Sequence, residues 1–230
     1  MIVQKLKDLI SRGGRRKFHV ITLFPEACRP YTNSSIIKRA QEDGLIKVDY
    51  WQPRDYAANK HDRIDQKPYG GGPGMVLEAL PFLRAWEQAG GGKNDTRTIF
   101  FSPSGKQFSQ TDAIELAESG DNFVFLCGRY EGIDQRVVEA TGAETYSVGP
   151  YVLTGGELPA LTMIDAITRQ IPGVLGDSES LEENRTASPT VYTRPEHIRW
   201  RGKTYSAPSV LLSGNHAEID TWRRGLLDTD

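Results

Sequence analysis

The stretch from Thr98 to Ile171 alternates short apolar runs with helical patterns, and this alternation constrains the fold more than any other feature of the chain. TIFFS (98–102), NFVFLCG (122–128) and AETYSV (143–148) read as strands, with helices expected over 110–119 and 133–140 between them. Strands alternating with helices specify a parallel sheet with helices on both faces, because each crossover must climb back over the sheet. FHVITLF (18–24) reads as a further buried strand, and LIKVDYW (45–51) alternates like one. Between them Asn33 is placed to cap a helix over SIIKRAQED, which Gly44 ends. YGGGPGM (69–75) can only be a loop; helical patterning follows through VLEALPFLRAWEQA, with Pro81 as a new start or a kink. Periodicity alone therefore predicts an unknotted, doubly wound α/β sheet, since knotted chains are rare.

At 230 residues the chain can build one good-sized core, or one core and a small appendage. No apolar run reaches membrane-spanning length. The opening MIVQKLKDLI is too interrupted by charge for a secretory signal; Ile2, Val3, Leu6, Leu9 and Ile10 instead make one face of a short helix. Cys28 and Cys127 lack ligand-like spacing, which argues against a zinc site or a disulfide framework and makes a reducing compartment the default. A net charge of −2 gives no global argument for nucleic acid. Charge is uneven, however: SRGGRRK (11–17) and YTRPEHIRWRGK (192–203) are basic, and local patches of this kind hold phosphate. From about residue 172 the sequence turns polar and acidic and reads as a long loop. SVLLSG (209–214) resumes order, and Asn215 with Glu218 resembles a capping box opening the helix HAEIDTWRR.

Three glycine-bearing loops follow apolar strands: SPSGK (102–106), CGRYEG (127–132) and GPYVLTGGELPA (149–160). In a parallel sheet such loops gather at the carboxyl ends of the strands, where ligands bind. None carries GxGxxG or GxxxxGK[ST], so a dinucleotide or P-loop site is disfavoured. The glycines suit close approach of main chain to a flat ligand. After them Leu158, Leu161, Ile164, Ile167 and Ile171 recur at helical spacing, with Pro159 in a first turn. A hydrolase is poorly supported: GxSxG is absent, and His19, His61, His197 and His216 show no partnered arrangement.

FHVITLFPE, WQPRDY, KPYGGGPGM, CGRYEGIDQRV, YVLTGGELPALTMIDAITRQIPGVLG, YTRPE and VLLSGNHAEIDTWRR, in that order from about residue 18 to 224, resemble the bacterial tRNA (guanine-N1)-methyltransferases, the TrmD type of the SPOUT class. The resemblance implies a cytoplasmic homodimer with neither membrane nor DNA as partner. It also implies an α/β fold whose carboxyl-terminal half forms a trefoil knot. The expected organisation is a basic extension (1–17), a SPOUT cofactor-binding domain (18–176), a mobile interdomain loop with a basic stretch (177–208) and a truncated helical region (209–230). S-adenosylmethionine is expected, bent, against Phe101, Ser102, Pro103, Gly128, Tyr130, Glu131, Ser147, Val148, Gly149, Tyr151, Leu153, Gly155, Gly156 and Pro159. The implied reaction is methyl transfer to N1 of the guanine at tRNA position 37 when a guanine precedes it, and a need for magnesium is implied with it. Arg169 matches the family's arginine that faces the guanine O6; read without the family, it is a helix-terminal arginine facing the dipole's negative end.

Two departures qualify the resemblance. Where the family places its aspartate base, this chain has Asn184, and a carboxamide cannot accept the guanine proton. Glu183 is the first substitute, with Glu182 and Asp177 behind it; the alternative is a relative that binds cofactor and tRNA without efficient turnover. Pro150 stands where the family carries an acid, removing a charge and an N–H from the expected cofactor wall. Residues 12–17 together with Arg194, Arg199, Arg201 and Lys203 are expected to hold tRNA in place of the shortened carboxyl-terminal region.

Overall fold

The computed structural model describes residues 15–58, 60–175 and 190–225. The chain divides into two units, Met1–Val174 and Leu175–Asp230. In the first, β1 (Arg16–Ile21), β2 (Ile46–Trp51), β5 (Thr96–Gln107), β6 (Asn122–Leu126) and β7 (Glu144–Ser147) form one sheet in the order β2-β1-β6-β5-β7. Every neighbouring pair in it is parallel. β3 (Asp65–Gln66) and β4 (Val76–Leu77) make a separate two-residue antiparallel ladder.

The central strand β6 is apolar and buried from Phe123 to Leu126 because both faces of the sheet are covered. On one face Phe18 and Val20 of β1 join Phe123 and Phe125 of β6 under α2 (Ser35–Glu42), α4 (Gln110–Ser119) and α6 (Glu157–Gln170). The rings of Phe18, Phe123 and Phe125 stack with centroids 5.6 to 6.2 Å apart. On the other face Ile21, Val124 and Leu126 meet α3 (Ala79–Gln88) and α5 (Gln135–Thr141) through Phe82, Ala85 and Val137.

Local chemistry explains most boundaries. Ser109 and Asp112 form a reciprocal capping box that starts α4, and Gly120 ends it at φ +84°. α6 carries Glu157 in its first turn and Arg169 in its last, the arrangement that suits the helix dipole. Two expectations are corrected. Asn33 does not cap the SIIKRAQED helix: it closes an earlier helix, α1 (Pro25–Thr32), which Pro25 opens, while Ser34 takes the cap position of α2. SPSGK is not a loop after a strand. β5 runs on to Gln107, and its register against β7 shifts between Phe101 and Lys106 around a bulged excursion. Gly105 makes this possible, since a Cβ there would lie 2.7 Å from the Tyr146 backbone.

Arg16 is buried, and its guanidinium donates to the carbonyls of Asp121 at 2.7 Å, Ala117 at 2.9 Å and Leu116 at 3.4 Å. It thus closes the carboxyl end of α4. This overturns its expected part in a tRNA-holding basic stretch, because its donors are spent inside the fold.

The second unit contains the antiparallel hairpin β8 (His197–Trp200) and β9 (Lys203–Ser206), a 3₁₀ turn over Ser209–Leu212, and α7 (His216–Gly225). The hairpin turn is Arg201-Gly202, with φ +48° and +78°. Asn215 accepts from the Glu218 N–H at a long 3.5 Å, half of the expected capping box. Tyr192 packs on Trp222 with ring centroids 6.4 Å apart. Among the described residues no helix is long and apolar enough to cross a membrane. The expected helix over residues 2–10 lies outside the described residues, as do Asp177, Glu182, Glu183 and Asn184.

Candidate active site

β6, β5 and β7 are adjacent, so the bulged part of β5 and the chain leaving β6 and β7 converge. There they line a cavity of about 320 Å³, within the range of small-molecule sites. Phe101, Ser102 and Pro103 come from β5, and Gly128, Tyr130 and Glu131 follow β6. Ser147, Val148, Gly149, Tyr151, Leu153, Gly155, Gly156 and Pro159 come from the end of β7 and the start of α6. Every residue expected to wall the cofactor therefore borders this one cavity. Phe100, Arg129, Gly132, Tyr146, Val152 and Thr154 also line it; they interleave with the expected residues, and this contiguity was the only signal in the sequence that could have found them. Pro150 is exposed and is not part of the lining, which corrects its expected place in the wall.

The wall after β7 is a tight turn. Ser147 Oγ donates to the Gly149 carbonyl at 2.9 Å and accepts from the Gly149 N–H at 3.3 Å. The Tyr151 ring folds over Gly149, where a Cβ would come within 2.2 Å of it, and its hydroxyl donates to the Val148 carbonyl at 3.2 Å. The wall after β6 turns through Tyr130 at φ +59°, a conformation uncommon for a residue with a side chain. That turn leaves the Tyr130 ring 57% exposed at the rim. Beside it the glycine-rich loop closes in: the Glu131 N–H donates to the Met75 carbonyl at 3.1 Å, and Gly74 packs against the Glu131 side chain.

The two walls touch each other. The Gly156 N–H donates to the Gly128 carbonyl at 3.0 Å, and a Cβ on Gly156 would sit 2.7 Å from Cys127 Cα. Beneath them Glu157 is buried, accepting from Thr22 Oγ1 at 2.7 Å and facing Arg129 Nε at 3.0 Å. The Arg129–Glu157 contact is an ion pair lying off the line of a hydrogen bond, since neither atom has a hydrogen-bond partner. Burial, reinforced by the Glu157 carboxylate, pushes the Cys28 thiol up to about 11 and raises that of Cys127 as well. Both cysteines are therefore protonated at neutral pH and unsuited to act as nucleophiles.

Among the described residues the lining has one carboxylate, Glu131, which forms no ion pair with another described residue, and one guanidinium, Arg129, already paired. Such a pocket suits a flat, cationic ligand read by main chain better than it suits a phosphate. Arg169 does not border it. It lies in the last turn of α6, ten residues beyond Pro159, which at the α-helical rise is about 15 Å away. Arg194, Arg199, Arg201 and Lys203 are exposed on and beside the hairpin of the second unit. Arg201 lies over Trp200, 5.7 Å from the ring centroid, and Lys203 over Tyr205 at 5.1 Å.

A family model described as tRNA (Guanine-1)-methyltransferase TrmD matches residues 16–228. The chain is 45% identical over 219 residues to the tRNA (guanine-N(1)-)-methyltransferase of Carboxydothermus hydrogenoformans, covering 93% of this chain and 84% of that protein. The proteins of the same description from Pseudoalteromonas atlantica and Buchnera aphidicola are 43% and 44% identical. Those matches cover 93% and 90% of this chain, and 81% and 87% of the two relatives.

Proposed function

Because the chain belongs to the tRNA (guanine-1)-methyltransferase TrmD family, we propose that the cavity after β5, β6 and β7 holds S-adenosylmethionine, and that Arg169 serves the reaction from a second copy of the chain. The enzyme methylates N1 of guanine in tRNA. The observation that carries the site reading is the convergence on one cavity of Gly128, Gly149, Gly155 and Gly156 with Phe101, Pro103 and Leu153. The glycines leave main-chain donors and acceptors free to read an adenine edge, and the apolar side chains cover its faces. Glu131 is the lining carboxylate available to the donor's positive charge.

S-adenosylmethionine supplies a methyl group already activated on a sulfonium. The protein's task is then alignment and removal of a proton, since guanine N1 is protonated at neutral pH. We assign that proton to Glu183, next to the Asn184 that stands at the family's base position. Arg169 stabilises the charge that spreads onto O6 as the proton leaves. The target is the guanine at tRNA position 37 preceded by guanine, in the cytoplasm, with Arg194, Arg199, Arg201 and Lys203 holding phosphates. Arg169's distance from its own cavity supports a homodimer in which each α6 end completes the other copy's site. The knot implied by the family is carried by the segments 101–103, 128–132 and 147–156 that wall the cavity. Magnesium has no assigned residues: among the described residues no group of three or more histidines, cysteines or carboxylates could hold it, and no step is routed through it.

Single-turnover methylation of tRNA with and without guanine at position 37 tests the reading, run beside Asn184→Asp and Glu183→Gln. Loss of rate in Glu183→Gln supports the base assignment, and an unchanged rate removes it. A rate gain in Asn184→Asp establishes the equivalence of that position. The one observation favouring a weakly active binding relative is Asn184 itself, and wild-type turnover close to that of Asn184→Asp would dispose of it.

A further inference from the structure

We propose that the ion pair between the partly exposed Arg129 and the buried Glu157, anchored to Thr22, is the positioning device that sets the two glycine walls at the spacing the methyl donor requires; this rests on the reading of the cavity as the donor site. The carboxylate of Glu157 joins three separate segments. Oε1 accepts from Thr22 Oγ1 at 2.7 Å, just beyond β1, and Oε2 faces Arg129 Nε at 3.0 Å in the loop after β6. Glu157 itself opens α6, immediately after the glycine pair. Thr22 is held in turn, its hydroxyl accepting from the Phe24 N–H at 3.0 Å. The Arg129 guanidinium lies 4.8 Å from the centroid of the Phe24 ring and reaches across to Thr154, Nη1 lying 3.3 Å from its carbonyl and 3.4 Å from its hydroxyl.

A buried ion pair is seldom the best way to gain stability, because desolvating two charges offsets most of their attraction. Here the carboxylate and the facing Arg129 Nε are buried while the rest of the guanidinium is partly exposed, so the pair gains little stability and its path points to another purpose. A Cβ on Gly155 would come within 2.4 Å of Arg129 Nε and 2.5 Å of Glu157 Oε2, so the pair runs directly behind the main chain of the cavity wall. Arg129 and Gly155 also form an isolated antiparallel bridge, the main-chain seam that the pair backs. Donor recognition depends on main-chain atoms, which no side-chain rotamer can re-aim. The spacing of the seam therefore decides how many of them reach the ligand together.

Uptake of S-adenosylhomocysteine by calorimetry, with steady-state methylation beside it, separates positioning from mere stability. Glu157→Gln keeps the Thr22 contact and the shape but removes the charge opposite the guanidinium. The expected result is a dissociation constant raised about tenfold, the scale of one charged interaction. KM for the donor should rise in parallel, while kcat at saturating donor and KM for tRNA stay within about twofold. Arg129→Gln should weaken uptake to at least the same degree, and the double variant should be no worse than Arg129→Gln alone, the signature of one coupled unit. If Glu157→Gln does not fold, Thr22→Val retains the ion pair and frees Oε1, and should weaken uptake about threefold. Folded variants that bind as the wild type does would overturn the proposal, as would a loss that vanishes once each protein is measured well below its own melting temperature. Wild type that takes up no ligand sinks the site reading, and this proposal with it.

Discussion

The placement of Arg169 yields a sharp test of the proposed two-copy site, because this arginine is not among the residues that line the cavity of its own chain. α6 leaves the cavity at Pro159, and the ten residues to Arg169 rise about 15 Å. The perturbation is a pair of defects in separate copies. Arg169→Ala removes the cation proposed to face O6, and loss of one such stabilising donor typically lowers kcat by about 10² to 10³. The complementary variant is Gly149→Leu. The atoms nearest an added Cβ there all belong to Tyr151, the first at 2.2 Å, so the new side chain displaces that ring or enters the cavity itself. Gly149 also needs no left-handed φ, so folding should survive. Each variant alone should be inactive. If the two are unfolded, mixed in equal amounts and refolded, half of the dimers are mixed. Each mixed dimer has one intact cavity facing one intact arginine, out of two sites, so activity should return to about a quarter of wild type. The assay is tritiated methyl incorporation into tRNA, with the separately refolded variants as controls. Activity that stays at the sum of those controls would refute the argument, because a site assembled within one copy is not rescued by mixing.

Other expectations follow from single contacts. Gly156→Ala should lower the melting temperature by about 3 to 10 °C, the range set by 1–3 kcal/mol of overpacking in a unit of this size, because its Cβ would need about 0.7 Å more room against Cys127 Cα; Gly225→Ala, with open space around it, should be silent by the same calorimetry. Arg16→Met keeps the side-chain stem but strands the carbonyls of Leu116, Ala117 and Asp121, and urea unfolding should show a loss of about 2 kcal/mol. His19 is held below its ordinary 6.5, chiefly by burial and against the pull of Asp49, and its Nδ1 accepts from Trp51 Nε1 at 3.1 Å. The unfolded chain therefore takes up this proton first, so His19's contribution to stability is intact above pH 6.5 and shrinks as pH falls below it; unfolding of wild type and His19→Gln at pH 7.5 and 5.5 should show the variant with the flatter dependence. Neutralising Arg199, Arg201 and Lys203 together should weaken tRNA binding and lower its salt slope by about 2, a result that an unchanged slope would contradict.

What was legible in the sequence, and what was not, divides along contact range. The strand and helix order from Thr98 to Gln170 could be read because each element announces itself locally: NFVFL by its unbroken apolar run, α4 by Ser109 and Gly120 at its ends. The loops after β6 and β7 that gather at the cavity were equally legible, since a parallel sheet leaves them no other place to go, whereas SPSGK lies inside β5. α1 was missed because PEACRPYT carries an internal proline, and the β8–β9 hairpin because Arg201-Gly202 reads as charge before it reads as a turn. The expectation of a knot rests on resemblance alone; periodicity points away from it. The glycine pair shows the limit most clearly. Its position marks the site, but the close approach was expected to be toward a ligand. In the fold, a side chain at Gly156 would first strike Cys127 and one at Gly155 would strike Arg129, residues 26 to 29 positions earlier in the chain. No local pattern encodes a contact of that span. The same glycines that allow the walls to meet also leave main chain bare on the cavity side, so packing and recognition make one demand on sequence. A substitution at either glycine will therefore change stability and donor affinity together. A change at Tyr130, exposed at the rim and free of that seam, separates them.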